Sequence, residues 1–382
     1  MEAKKTVRTF SAASFLHDCG SDMVFSVWPV FVTQVLGANM ATLGFIDGLG
    51  DAVVSLSQAV SGYYSDRLKK RKVFIWTGYL FGAIAHVGYA LSPAWQYLIP
   101  FRILDRSGKM RGSPRDAIIS DVSDNTNRGK HFGILRAMDN AGAVVGILLA
   151  FFLLPLIGYR TLFFVAAIPS LLAVMLVFFV IKEHKTPYIR LYKGISFSHF
   201  GQDLLLYTVS NAFFSLGAFS YSFLLIFASG EGFQVASLPL LYLLFTVVAA
   251  LTSIPFGKLS DRIGRKSVLY LSLTFWAMLL LSLAFSQKMF VVIVAFVLYG
   301  LHKGAIEPVQ KTFVAELAPK DFVASTLGGF QMVIGLMSLP ASFLAGILWD
   351  RFGMLVPLYF SFGLTALAVV LLMFVKEKRL LA

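Results

Sequence analysis

The chain has 382 residues, of which 57% are hydrophobic and 14% charged, and its mean hydropathy is +0.76. Soluble domains carry about 25% charged residues, so a water-soluble enzyme of two or three domains is excluded. The formal net charge of +13 would suit nucleic acid, but the basic residues stand in short loops on alternate sides of apolar runs, the pattern of a membrane protein.

The apolar runs are near the ~20 residues that cross a bilayer as a helix. None shows the alternation of a barrel strand. Twelve spans are expected, near 11–36, 41–61, 73–91, 95–119, 132–157, 161–181, 200–228, 236–256, 267–286, 289–315, 323–347 and 354–375. The first follows Lys4, Lys5 and Arg8 directly, so no cleavable signal peptide is expected. The single cysteine, Cys19, permits no intramolecular disulfide. The longest loop, 182–199, is basic and contains Pro187. It serves as a cytoplasmic linker between a six-helix bundle over 1–181 and a second over 200–382. With the N-terminus inside, 22 Lys and Arg fall in the cytoplasmic segments and 3 (Arg160, Lys288, Arg351) on the other side. Both termini are therefore expected in the cytoplasm of a multi-pass protein of the cytoplasmic membrane.

A repeat supports the division. Gly62-Tyr-Tyr-Ser-Asp66-Arg67-Leu-Lys-Lys70-Arg71 follows the second span, and Gly257-Lys-Leu-Ser-Asp261-Arg262-Ile-Gly264-Arg265-Lys266 follows the eighth. The same signature in the same loop of two halves implies pseudo-twofold symmetry with a pathway between them.

On these residues the sequence resembles the major facilitator superfamily of secondary transporters. The family's loop motif, G-x-x-x-D-R-x-G-R-[RK], is matched throughout by Gly257 to Lys266, whereas Lys69 stands at a glycine position of the first copy. A fourth-span signature, R-x-x-x-x-x-G, runs from Arg102 to Gly108. A fifth-span signature of antiporters, G-x-x-x-G-P, is met by Gly142 and Gly146 but has Ile147 in place of proline. The resemblance implies an all-α membrane fold of twelve helices in two pseudo-symmetric six-helix bundles. It also implies a gating role for Gly62, Asp66, Arg67 and Arg71 and for Gly257, Asp261, Arg262, Gly264 and Arg265, through contacts that form in one state and break in another.

Ionisable groups within a span are costly and should face a partner or a water-filled cavity. In the first span His17, Asp18 and Asp22 occur, the two aspartates at i, i+4 on one face. Asp47 and Asp51 repeat the spacing in the second span. In the fourth, Arg102, Asp105, Arg106 and Lys109 follow one helical face, while Arg111 to Asp116 are expected to snorkel toward water. Arg136 and Asp139 form a local pair in the fifth span, and Lys303 and Glu307 share a face in the tenth beside His302. Basic and acidic in-span residues number 8 each once Asp203, in the first turn of its span within reach of water, is set aside, which favours paired networks over a bare basic funnel.

A carboxylate that exchanges a cationic partner for a proton is a coupling device. Asp18, Asp22 and Glu307 are the candidates. Arg102, Asp105, Arg106, His302 and Lys303, with Asn211 where the resemblance puts cavity lining, are the candidate substrate-binding residues. The expected function is alternating-access transport of a small solute, coupled to protons or to sodium and carried out by a monomer without cofactor or nucleic acid. An exporter of an amphipathic drug or metabolite leads. An organic anion held by Arg106 and Lys303, or a divalent metal held by His17, Asp18 and Asp22, are the alternatives. A receptor on a transporter scaffold would need a larger soluble domain. An enzyme ranks last, because G-x-S-x-G and H-E-x-x-H motifs are lacking.

Overall fold

A computed structural model describes residues 2–68, 70–123, 127–183, 201–319 and 322–377, without the side chains of 2, 3, 63, 66, 324 and 325. Most of the expected linker, 184–199, lies outside the described residues, as do Lys69 and the side chain of Asp66. Among the described residues there is no strand. The helices are α1 (Glu2–Phe25), α2 (Met40–Leu68), α3 (Arg71–Leu91), α4 (Leu98–Ser107), α5 (Gly112–Asp121), α6 (Arg128–Val180), α7 (Gln202–Gly217), α8 (Tyr221–Gly230), α9 (Leu238–Ile263), α10 (Arg265–Phe285), α11 (Met289–Leu317), α12 (Val323–Phe352) and α13 (Val356–Phe374).

Nine helical stretches among the described residues are long and apolar enough to cross a membrane. One of them, Arg128–Val180, contains two of the expected spans. Helical dihedrals fail inside it at Gly158, with φ +69° and ψ 173°, a conformation glycine reaches without a Cβ clash. Glu2–Phe25 and the Leu98–Asp121 region are missed by an apolarity criterion because charged residues recur along them.

Three expected spans are interrupted. After α1 the chain makes a short helix at Trp28–Val30, with Pro29 in its first turn, and a π-helical turn at Phe31–Val35. Proline lacks the N–H that an interior position must donate, so it sits where none is needed. Between α4 and α5 the helix tightens to a 3₁₀ turn, Gly108–Arg111. There a Cβ on Gly78 would stand 2.6 Å from the carbonyl oxygen of Gly108, so α3 crosses backbone to backbone. Between α7 and α8, residues 218–220 leave the helix and Ser220 caps α8, its hydroxyl accepting the Ser222 N–H.

The chain forms two compact units, 1–38 with 53–192 and 39–52 with 193–382. In the first, Phe10, Ala13, Ile75, Tyr79, Ile118, Ile119, Leu135, Ala173 and Val177 form a buried apolar cluster from α1, α3, α5 and α6. Gly142 and Gly146 of α6 lie directly on the backbone of Phe15 and Cys19. In the second, Gly300 and Gly304 bring α11 onto α9 at Phe245 and Ala249. Such small-residue contacts let helix backbones approach where lipid offers no hydrophobic drive.

Candidate transport site

In the first unit, charged side chains gather where α1, α3, α4, α5 and the head of α6 meet. Arg102 is 1% exposed, and its guanidinium lies 4.5 Å from the Trp28 ring and 5.2 Å from Phe25. Arg106 covers the same Phe25 ring at 4.4 Å, and its Nε stands 3.8 Å from Asp105 Oδ2. Guanidinium planes stacked on aromatic faces keep their charge in a place poor in water.

Further along the chain, Arg111 Nη2 is 3.7 Å from Asp18 Oδ1. The same guanidinium lies 4.9 Å from the Tyr79 ring and donates to Gly108 O at 2.9 Å. His17 Nε2 is 3.1 Å from Ser21 Oγ, and the imidazole packs on Tyr79 and His86 with centroids 5.0 and 6.4 Å away. Beyond it, Arg115 donates to Ser14 Oγ at 2.6 Å and to Asp116 at 3.1 Å, and lies 3.7 Å from Asp139. Arg136 joins Asp116 at 3.7 Å and Asp139 at 3.3 Å. The side chains of Arg111 and Arg115 are 6% and 8% exposed. They do not snorkel: the Gly78–Gly108 approach brings Tyr79 over Arg111, and Ser14 and Asp139 hold Arg115.

Asp22 is half-buried on α1, one turn beyond Asp18. Of the candidates the structure thus brings together Arg102, Asp105 and Arg106 at Phe25, and Asp18 with Arg111, which sequence reasoning had sent to water.

In the second unit, His302 is buried and its ring shares hydrogen bonds with Ser272, below Phe214 and Trp276. Lys303 Nζ is 5.8 Å from the Tyr299 ring centroid, and Glu307 is exposed on the same helix. Asn211 accepts from Gln310 Nε2 at 2.7 Å and donates to Tyr207 O at 2.8 Å.

The second motif loop is a tight ionic cluster. Gly264 has φ +97° and turns the chain so that Arg265 Nη1 meets Asp261 Oδ1 and Ser260 Oγ, while Nε meets Glu316 at 3.0 Å. In the first motif loop Arg71 pairs with Asp121, and the backbone N–H groups of Arg71 and Lys72 donate to Glu183. Gly62 faces Ser113. Arg67, Arg262 and Gly257 stand near the same helix ends, where the two arginines are exposed. The acids Asp121, Glu183 and Glu316 were missed by sequence reasoning, because each lies far along the chain from the arginine it meets.

A multi-pass helical membrane protein whose charged helices bury their ion pairs against one another has the architecture of a solute transporter. The sequence profile of the Major Facilitator Superfamily matches residues 10–251 and 205–381. An uncharacterised MFS-type transporter of Methanocaldococcus jannaschii, MJ1317, is 34% identical over 357 residues, 91% of this chain and 89% of that one. The multidrug resistance protein MdtG of Salmonella arizonae is 26% identical over 321 residues, 78% of each chain. Among solved structures, a variant of the nucleoside transporter NupG has TM-score 0.81 at 13% identity, covering 97% of this chain and 100% of that one. A bacterial homologue of the lysosomal transporter Spinster has TM-score 0.74 at 15% identity, covering 99% of each. The chain belongs to the major facilitator superfamily and is a membrane transporter.

Proposed function

We propose that this transporter exports an amphipathic drug or metabolite across the cytoplasmic membrane by alternating access, in exchange for protons. The observation that carries the reading is the Asp18–Arg111 contact at 3.7 Å, within the same helices that stack Arg106 on Phe25 at 4.4 Å. A proton taken by Asp18 removes the charge that Arg111 faces, leaving the guanidinium to Tyr79 and Gly108. The Phe25 face and Arg106 together offer an apolar surface edged by a cation, which suits an amphipathic solute. Similarity to a multidrug resistance protein supports the substrate class. In this reading both termini are cytoplasmic and the motif loops close the inner side.

A second reading, transport of an organic anion, is favoured by the two guanidinia held against Phe25 and Trp28. Thermal unfolding of the purified protein against cationic drugs, organic anions, peptides, sugars and divalent metals, at about pH 6 and about pH 8, separates the readings, because a ligand that binds the folded state raises the transition. Stabilisation by amphipathic compounds that changes with pH is expected, and is expected to vanish in Asp18→Asn. Stabilisation by anions alone moves the assignment to the second reading. Pure metal stabilisation overturns both.

A further inference from the structure

Gln310 takes no part in the transport reading above, although it stands on the charged face of α11, three residues beyond Glu307 and seven beyond Lys303. Glu307 is exposed, and Lys303 and Gln310 are half-buried. A membrane helix does not turn such a stripe to hydrocarbon, so this face looks into water. Aromatic packing within the second unit holds α7 and α12 against the same helix. The Tyr207 ring of α7 lies edge-on to Phe313 of α11 with centroids 4.8 Å apart, and parallel to Phe330 of α12 at 5.5 Å.

The amide of Gln310 ends a hydrogen-bonded chain whose polarity is fixed from its other end. The backbone carbonyl oxygen of Tyr207 accepts and never donates, so the side-chain nitrogen of Asn211 must face it, at 2.8 Å. Asn211 Oδ1 is thereby left as the acceptor for the next group, and Gln310 Nε2 donates to it at 2.7 Å. Turning the Gln310 amide over would set two carbonyl oxygens against each other beside a residue only 7% exposed. Gln310 therefore presents Oε1. Among the described residues this oxygen accepts no hydrogen bond, and it is not enclosed. The second Nε2 hydrogen is free to serve water or a solute acceptor, but Oε1 requires a donor.

We propose that Gln310 gives the transporter its preference for solutes that bring an N–H donor, as a protonated amine or a secondary amide does, and that Asn211 positions it. The inference rests on the proposed export of an amphipathic solute and adds the polar head which that solute carries. Glu307 is flanked at four residues on either side by Lys303 and Lys311, so net charge on this face does not choose the solute. The fixed oxygen does: a methyl group in place of the donated hydrogen leaves Oε1 both crowded and without a partner.

Two matched pairs of probes test the assignment, titrated by calorimetry into the protein in lipid nanodiscs with empty nanodiscs as the blank. The first pair is phenylbutyl-dimethylammonium, with its single N–H, and the trimethyl counterpart. The second is N-phenylbutylacetamide and its N-methyl derivative. Charge is constant within each pair, and a methyl replaces the N–H hydrogen. The N–H member is expected to bind at least about fivefold tighter in both pairs. Gln310→Met keeps the length of the side chain without the amide, and the ratio is expected to fall to about one. Asn211→Leu frees the amide to turn, and the ratio is expected to fall by at least about half. An amide pair that only ties α7 to α11 would lower the stability of both variants and leave their ratios as in the parent, which overturns the proposal. Equal binding of the two members in the parent also overturns it and leaves the export reading standing. Binding of neither member of either pair overturns both. Should Gln310→Met fail to fold, Asn211→Leu carries the test, with a parent-like ratio overturning the proposal.

Discussion

The carboxylate of Glu377 accepts the backbone N–H of Arg265 at 2.5 Å, 112 positions earlier in the chain; Glu183 accepts the backbone N–H of Arg71 at 2.7 Å at the same separation of 112. Each acid follows the last helix of its unit and sits on the N-terminus of a helix that opens a motif-loop arginine. The side chains repeat the pattern, Arg265 meeting Glu316 and Arg71 meeting Asp121. The duplication seen in the loop sequence thus extends to a pair of helix caps that no local motif contains.

The caps predict a stability effect of defined size. The first N–H groups of a helix have no partner within it, and a carboxylate there satisfies them and opposes the dipole. Glu377→Ala is expected to destabilise the second unit by about 1 kcal/mol and Glu377→Gln by less. Thermal unfolding in detergent measures this. Equal losses for the two variants would show that the carboxylate's charge, and not the packing or the acceptor oxygen that glutamine keeps, carries the effect.

Arg265 makes a second, sharper case. Its fork engages Glu316 through Nε and Asp261 and Ser260 through Nη1, a set that a lysine ammonium cannot reach in the same geometry. Arg265→Lys is expected to slow transport by about tenfold, with the unfolding temperature shifted by no more than a few degrees. Because Asp261 is 63% exposed and Glu316 27% exposed, the coupling in an Arg265→Ala, Glu316→Gln double-mutant cycle should stay within about 1 kcal/mol. Initial rates in proteoliposomes with an imposed proton gradient decide it; a wild-type rate would remove Arg265 from gating.

Much of the architecture was legible because run length and charge placement report directly on the bilayer. Glu2–Phe25 and the Leu98–Asp121 region, too charged for a hydropathy criterion, are helical where the spans 11–36 and 95–119 were expected from their apolar runs. What stayed hidden is non-local. Nothing local in the sequence at Gly217 and Ser220 announces that α7 stops beside them and that Ser220 caps α8. Arg111 read as a snorkelling side chain, since nothing in its own helix announces that Gly78 lets Tyr79 close over it. Asp47 and Asp51 share one spacing, yet one is buried on two serines and the other exposed. That difference belongs to the neighbouring helices.

Cys19 offers an inexpensive check on the packing of α1. It is 6% exposed, and its backbone lies under Gly146 of α6. A thiol so enclosed cannot present its sulfur to a reagent. Maleimide labelling of the folded protein is expected to proceed at least about a hundredfold slower than in denaturant. Rapid labelling without denaturant would mean that α1 leaves α6 during the resting motions of the protein.

The Asp18–Arg111 contact carries the most consequential prediction. The two side chains are 19% and 6% exposed, so removing one partner leaves the other charged in a poorly solvated place. Arg111→Ala is expected to cost about 3 kcal/mol, and Arg111→Ala with Asp18→Asn to recover part of that loss, since the second change removes the stranded carboxylate. Function should separate differently. Asp18→Asn keeps the size and polarity of the group but cannot ionise, so under the proposed proton exchange uphill transport driven by a proton gradient is expected to be lost. Exchange of labelled for unlabelled solute, which needs no net proton movement, persists at a rate within about threefold of wild type. Radiotracer counterflow beside gradient-driven transport in the same vesicles makes the comparison. Loss of both would assign Asp18 to holding the solute or the helices together, and retention of both would remove Asp18 from the proposed proton coupling.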